Sequence, residues 1–182
     1  MDADAATLFR LAALNSDYAA CIDADRLEAW PDFFVDACLY KITTAENHRR
    51  GYQAGVIYAD SRAMLRDRVA ALREANIYER QTYRHIVGMP RIDPATGGPV
   101  TAGTVTGTVT GTGAAGTGAA GVISAETPFL VVRTMRDGHM DIFAAGRYLD
   151  RVVADVDGAL RFAERVVVCD SPRFDTLLAI PL

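Results

Sequence analysis

From Tyr83 onward the chain turns β-rich, in four runs: "YRHIVGMPRI", "TPFLVVRTMR", "HMDIFAAGRYLDRVV" and "ALRFAERVVVCD". β-branched and aromatic residues, which suit a pleated strand, recur in all four. Asp137 with Gly138, and Asp157 with Gly158, separate the last three runs. Asp-Gly favours a hairpin because it tolerates positive φ. The pattern predicts a meander of antiparallel strands over the C-terminal half.

The N-terminal half carries the helical period instead. Leu8, Leu11, Tyr18 and Ile22 share one face of a helix expected over residues 5 to 22. A second helix is expected at "DRLEAW", with Asp25 as its cap, Glu28 reaching back and Pro31 ending it after Trp30. "ACLYKITT" alternates as a strand, with Cys38, Tyr40 and Ile42 on one face. After "ADS", where Asp60 or Ser61 can cap, Leu65, Val69, Leu72 and Asn76 mark a third helix with Arg62, Arg66 and Arg73 towards water. Helices followed by a curved antiparallel sheet make an α+β fold of cone shape, not the alternating βαβ of a parallel sheet. At 182 residues the chain is expected to form one domain.

Residues 94 to 121 interrupt this plan. They contain only Gly, Thr, Ala, Val and Pro, and nine of the fifteen glycines. Gly111, Gly113 and Gly116 fit the dinucleotide fingerprint G-x-G-x-x-G, as do Gly116, Gly118 and Gly121. The fingerprint works only when a helix comes after it and points its N-terminal N–H groups at the pyrophosphate. "VISAETPFLVVRTM" comes next, with Pro128 and β-branched residues that form a strand, so composition alone accounts for the match. The run is expected to be an exposed, mobile insertion at a hairpin tip, or in part an extension of its flanking strands.

A net charge of −4 gives no footprint for nucleic acid. The acidic N-terminus lacks the basic start of a signal peptide, and no apolar stretch approaches membrane length, which points to the cytoplasm. Cys21, Cys38 and Cys169 are far apart in apolar runs and read as packed, reduced thiols. Neither they nor His48, His85 and His139 have metal-ligand spacing, and no G-x-S-x-G elbow is present. His85 shares a strand face with Tyr83 and Val87, which suits a hydrogen-bonded core or interface histidine.

Several stretches, "WPDFF", "CLYKITTAENH", "IYADSRAMLRDRV", "ALREANIYERQTYRHIVGMPRI", "FAAGRYLDRV" and "ERVVVCDSPRFDTLLAIPL", resemble the small, or beta, subunit of Rieske-type aromatic-ring-hydroxylating dioxygenases. "REANIYER", "VCDS" and "LLAIPL" resemble the members acting on terephthalate. The resemblance implies the cone fold of nuclear transport factor 2, a curved antiparallel sheet closed by helices. It also implies a large, alpha subunit partner carrying a Rieske [2Fe–2S] cluster and a mononuclear iron, in an alpha-three beta-three hexamer. A separate reductase would use NADH, and O2 would be added to an aromatic carboxylate to give a cis-dihydrodiol. This chain would supply no catalytic, cofactor-binding or metal-binding residue.

Within that resemblance "YERQTYRH" nominates Tyr78, Arg80, Tyr83, Arg84 and His85 for subunit contacts, since aromatics and Arg combine area with directional hydrogen bonds. The competing readings are an isomerase- or dehydratase-type enzyme of the same cone fold and a small-molecule-binding module. For the first, Tyr40, His85 and Asp141 are the groups available to move a proton.

Overall fold

Helix α1 (Ala3–Asp23) buries Leu11, Leu14, Tyr18, Cys21 and Ile22, the face its sequence period marks, with Leu8 half-buried at its rim. The computed structural model describes residues 3–75, 79–94, 121–155, 157–174 and 178–182. Among them no helix is long and apolar enough to cross a membrane.

The expected helix at "DRLEAW" does not form. Asp25 instead takes the left-handed conformation, φ 54°, at the end of α1. Its N–H donates to the Ile22 carbonyl, and the Arg26 N–H reaches back to Cys21, satisfying orphaned helix carbonyls. A 3-10 turn (Trp30–Phe33) comes next, with Pro31 inside its first turn, where a missing N–H costs nothing. The Asp25 and Glu28 carboxylates cap no helix; both receive Arg73 of helix α3 (Arg62–Glu74). That helix starts on Ser61, whose Oγ accepts from Met64 N–H, and it buries Leu65, Val69 and Leu72. Its arginines do more than face water: Arg62 donates to the Phe34 carbonyl and Arg66 to Asp32. Asn76 lies outside the described residues.

The sheet runs β2-β1-β7-β6-β5-β3, with β4 also paired to β5. Its strands are β1 (Phe34–Thr44), β2 (Ile57–Ala59), β3 (Gln81–Val87), β4 (Arg91–Ile92), β5 (Ile123–Met135), β6 (Met140–Ala154) and β7 (Leu160–Cys169). A five-residue helix, α2 (Ala45–Arg49), and β2 lie in a stretch with too few periodic positions to show them in the sequence. The sheet is not wholly antiparallel as expected: β1 lies parallel to β7, with Leu39 opposite Glu164 and Thr44 opposite Cys169. "YRHIVGMPRI" makes two strands, because the chain steps off β5 at Gly88, whose N–H donates to the Pro128 carbonyl, before β4 rejoins it.

Register shifts at Val131/Val132 and at Arg151/Val152 bend the long strands, curving the sheet around α1. The two Asp-Gly turns close as expected, but only their glycines, Gly138 and Gly158, have positive φ, while the aspartates accept backbone N–H groups from His139 and Ala159. Beyond Gly121 the chain enters β5, a strand and not a helix, so the fingerprint glycines lead into no anion-binding helix end. The hairpin β4–β5 flanks the glycine run, whose own structure lies outside the described residues.

Gly146 shows how tightly β6 meets β7. A Cβ there would lie 2.0 Å from the Val168 carbonyl oxygen. Gly146→Ala is expected to cost about 3 kcal/mol, the upper end of overpacking losses, and denaturant unfolding of the purified chain would measure it.

Candidate functional site

Inside the curve the fold places an aromatic box. Tyr18 from α1, Trp30 and Phe34 from the turn and start of β1, Tyr40 from β1, Tyr148 from β6 and Phe162 from β7 are all fully buried. Most neighbouring rings meet edge to face, as between Trp30 and Tyr40 at 5.1 Å. The guanidinium of Arg165, also fully buried, lies 4.2 Å from the Tyr18 ring centroid, 4.1 Å from that of Tyr148 and 3.8 Å from that of Phe162. Two hydrogen bonds, 2.9 and 2.8 Å, fix it to Asp150, and a third reaches Asn15, which in turn donates to Thr127. Burial works against the Arg165 charge, but Asp150 raises its pKa above the ordinary arginine range, so it stays a cation.

The remaining space holds the chain's own segment 178–182. The Leu182 carbonyl accepts from Tyr18 Oη at 2.8 Å and Tyr40 Oη at 3.1 Å, and the Leu182 N–H donates to Tyr40 Oη at 3.1 Å. Burial holds both phenols above their ordinary pKa, Tyr40 far above it, which keeps them donors. Arg68 of α3 donates to the Leu178 carbonyl. The polar ends of Tyr18 and Tyr40 are therefore satisfied by the chain itself.

The three candidate proton-moving groups do not share a site. Tyr40 is engaged by Leu182, and Asp141 on β6 pairs with Arg133 at 2.5 Å, which holds its carboxyl below the usual range. His85 on β3 meets Asp23, at the end of α1, through Nδ1 at 2.6 Å; the same carboxylate accepts the His85 backbone N–H. The His85 side chain is wholly buried, and its Nε2 has no hydrogen-bond partner among the described residues. An Asp–His pair of this kind can orient an imidazole, but here the second ring nitrogen is shut away from solvent and the pair ties strand to helix.

The nominated contact residues divide in two. Tyr83 and His85 face inward; Tyr83 stacks on Phe143 at 5.0 Å and accepts from Gln81 at 3.1 Å. Arg80 and Arg84 are exposed, Arg84 at 3.7 Å from Asp23. Tyr78 lies outside the described residues. Not foreseen was an apolar plaque on the outer face, where Arg84 pairs in register with Val132 and Ile86 with Leu130. Val132 lies opposite Ile142 across the next pairing. Ile86, Met140 and Ile142 expose 56%, 66% and 68% of their surface, more than a strand on a closed surface would leave in water. The alternation that fixes the inner face also implies this outer one, had the outward residues been read for their own apolarity.

Among the described residues no group of three or more His, Cys, Asp or Glu is placed to hold a metal ion. Burial pushes the Cys38 thiol up to about 11 and Cys169 to about 12. The stability tied to these protonated thiols is present below the unfolded value of 9.0 and is lost as pH climbs through the folded values. Both are expected to resist iodoacetamide at pH 8 in the folded chain and to react once urea unfolds it, which mass spectrometry would count.

A SnoaL-like domain model matches residues 10–166. The chain is 44% identical over 173 residues to the terephthalate 1,2-dioxygenase terminal oxygenase component subunit beta 1 of a Comamonas species, covering 95% of this chain and 97% of that protein. It is 36% identical to the anthranilate 1,2-dioxygenase small subunit of Burkholderia cepacia, covering 98% and 96%. A crystal structure from Novosphingobium aromaticivorans, described as the beta subunit of a candidate aromatic-ring-hydroxylating dioxygenase, superposes with a TM-score of 0.77 at 35% identity over 100% of both chains.

Proposed function

The chain belongs to the SnoaL-like family and, within it, to the small subunits of aromatic-ring-hydroxylating dioxygenases, and from that we propose that it is the structural subunit of a terephthalate-type oxygenase. It pairs with a large subunit in an alpha-three beta-three hexamer in the cytoplasm. That partner carries the Rieske [2Fe–2S] cluster and the mononuclear iron, and a separate reductase delivers electrons from NADH. The assembled enzyme adds both atoms of O2 to terephthalate, or another aromatic carboxylate, giving a cis-dihydrodiol. Cys21, Cys38 and Cys169 are buried on three separate elements and do not come together as thiolate ligands for a [2Fe–2S] cluster.

The observation that supports a non-catalytic role is that the aromatic box is engaged by the chain's own groups. Arg165 and Leu182 occupy the interior, and the groups that could move a proton are each bound elsewhere. Contacts to the neighbouring subunits are assigned to Tyr78, Arg80, Tyr83, Arg84 and His85. Of these, Arg80 and Arg84 present charge outward, while Tyr83 and His85 hold β3 from within. The outer plaque of Ile86, Met140 and Ile142 supplies apolar area of the kind a permanent interface buries.

Co-expression with a Rieske-containing large subunit, followed by sizing and iron analysis, tests this. A hexamer should form, active on terephthalate, while the isolated chain is colourless and inactive. Turnover of an aromatic acid by the isolated chain, or failure to associate, would overturn it.

A further inference from the structure

At the corner where the end of α1 meets β3 and β5, a cleft of about 440 Å3 opens to solvent, bordered by Asp23, Asp25, Arg73, Arg80, Tyr83 and Arg136. Its two carboxylates are committed: Asp25 to Arg73 at 2.8 Å and Asp23 to His85 at 2.6 Å. Arg80 and Arg136 are not. Gln81 pairs with Met135 as the last rung of the β3–β5 ladder, so Arg80 and Arg136 stand one residue beyond it, just outside the ends of the two strands. Both are exposed, and among the described residues no carboxylate pairs with either; Glu79, next to Arg80, is exposed and forms no ion pair with them.

Like charges brought together across two strands destabilise the pairing. Two such guanidiniums, on a chain whose net charge is −4, form a local positive fork that the described fold leaves unanswered. Guanidinium planes bind carboxylates through paired, directional hydrogen bonds, and a carboxylate between two of them would relieve their repulsion. Arg80 also continues the strand whose outward Arg84 and Ile86 border the apolar plaque. The geometry points to this fork as the receptor for an acidic side chain or acidic segment of the large subunit. The inference rests on the small-subunit role proposed above and adds the chemistry of one contact.

The test uses the complex with the large subunit and the variants Arg80→Glu, Arg136→Glu and the double reversal. Arg49→Glu, an exposed arginine of α2 with no ion pair among the described residues, makes the charge change of each single reversal elsewhere. The double reversal is expected to weaken association at least tenfold at low salt and to flatten its salt dependence, because a docked charge pair has been turned repulsive. Arg49→Glu should change affinity less than twofold. In the isolated chain, Arg80→Glu replaces a like-charge pair with an opposite one and should raise Tm by roughly 1–2 °C. A variant more stable alone yet weaker in the complex is the signature of a charge kept for a partner.

A double reversal no more damaging than Arg49→Glu overturns the assignment. So does a reversal that weakens only self-association of the isolated chain, which would make a second copy the occupant. If the unaltered chain fails to bind the large subunit, the small-subunit reading falls and the fork with it; if it binds and the reversals are silent, only the fork falls.

Discussion

Asp150→Ala is expected to destabilise the chain by about 3–5 kcal/mol, since it leaves the Arg165 guanidinium buried without its counter-ion. Nothing nearby can take over: Asn15 is neutral and already bonded, and the other walls are the faces of Tyr18, Tyr148 and Phe162. Aromatic faces attract the cation but do not replace two hydrogen bonds at 2.9 and 2.8 Å. Removing both charges with volume kept, as Asp150→Leu with Arg165→Met, should recover most of the loss, because desolvation then falls on neither group. Guanidinium unfolding of the single and double variants measures both. A single variant costing less than about 1 kcal/mol would show that Arg165 reaches water in solution.

The second large effect concerns residues 178–182. Leu182→Ala removes a fully buried side chain and should cost about 2–5 kcal/mol, depending on how far the box collapses. Deleting the whole segment is a different experiment, because it also removes the carbonyls that satisfy Tyr18, Tyr40 and Arg68. Each buried donor left unpaired adds about 1–3 kcal/mol, and Leu178, Ala179 and Ile180 leave the core as well. The sum approaches the ordinary total stability of a domain, about 5–15 kcal/mol, so the deleted chain should fail to accumulate folded. Coupling gives the sharper check: Tyr40→Phe should destabilise Leu182→Ala about as much as the unaltered chain, since the accepting carbonyl is backbone. Circular dichroism melts of the four proteins would expose any other pattern.

The long elements were legible because each shows its own local signal. Leu65, Val69 and Leu72 bury as their spacing requires, and the β5, β6 and β7 runs become the strands that their β-rich composition and the Asp-Gly turns between them mark. The parallel β1–β7 pair was not legible, because alternation gives the faces of a strand but not its neighbour or direction. "DRLEAW" misled because Asp25 and Glu28 have the spacing of a capping box, while their carboxylates answer an arginine 45 or more residues away. The aromatic box was hidden for the same reason. Arg165 breaks the rule that an inward strand position is apolar, and its partners Asp150 and Asn15 lie 15 and 150 residues distant. The apolar segment ending at Leu182 carries no period at all. Of the candidate site, the burial of His85 with Tyr83 was implied by their shared strand face, whereas its bond to Asp23 depends on where α1 ends.

The parallel pairing of β1 with β7 also governs when the molecule can finish folding. Strand β1 is made early, yet one of its neighbours is the last strand of the sheet, so its ladder waits for nearly the whole chain. Such long-range closure is slow and leaves the apolar face of β1, with Tyr40 and Ile42, uncovered meanwhile. During synthesis the first helix and first strand leave the ribosome long before the partner strand that shelters them. Truncation before β7 is therefore expected to yield an aggregation-prone fragment and not a smaller folded piece.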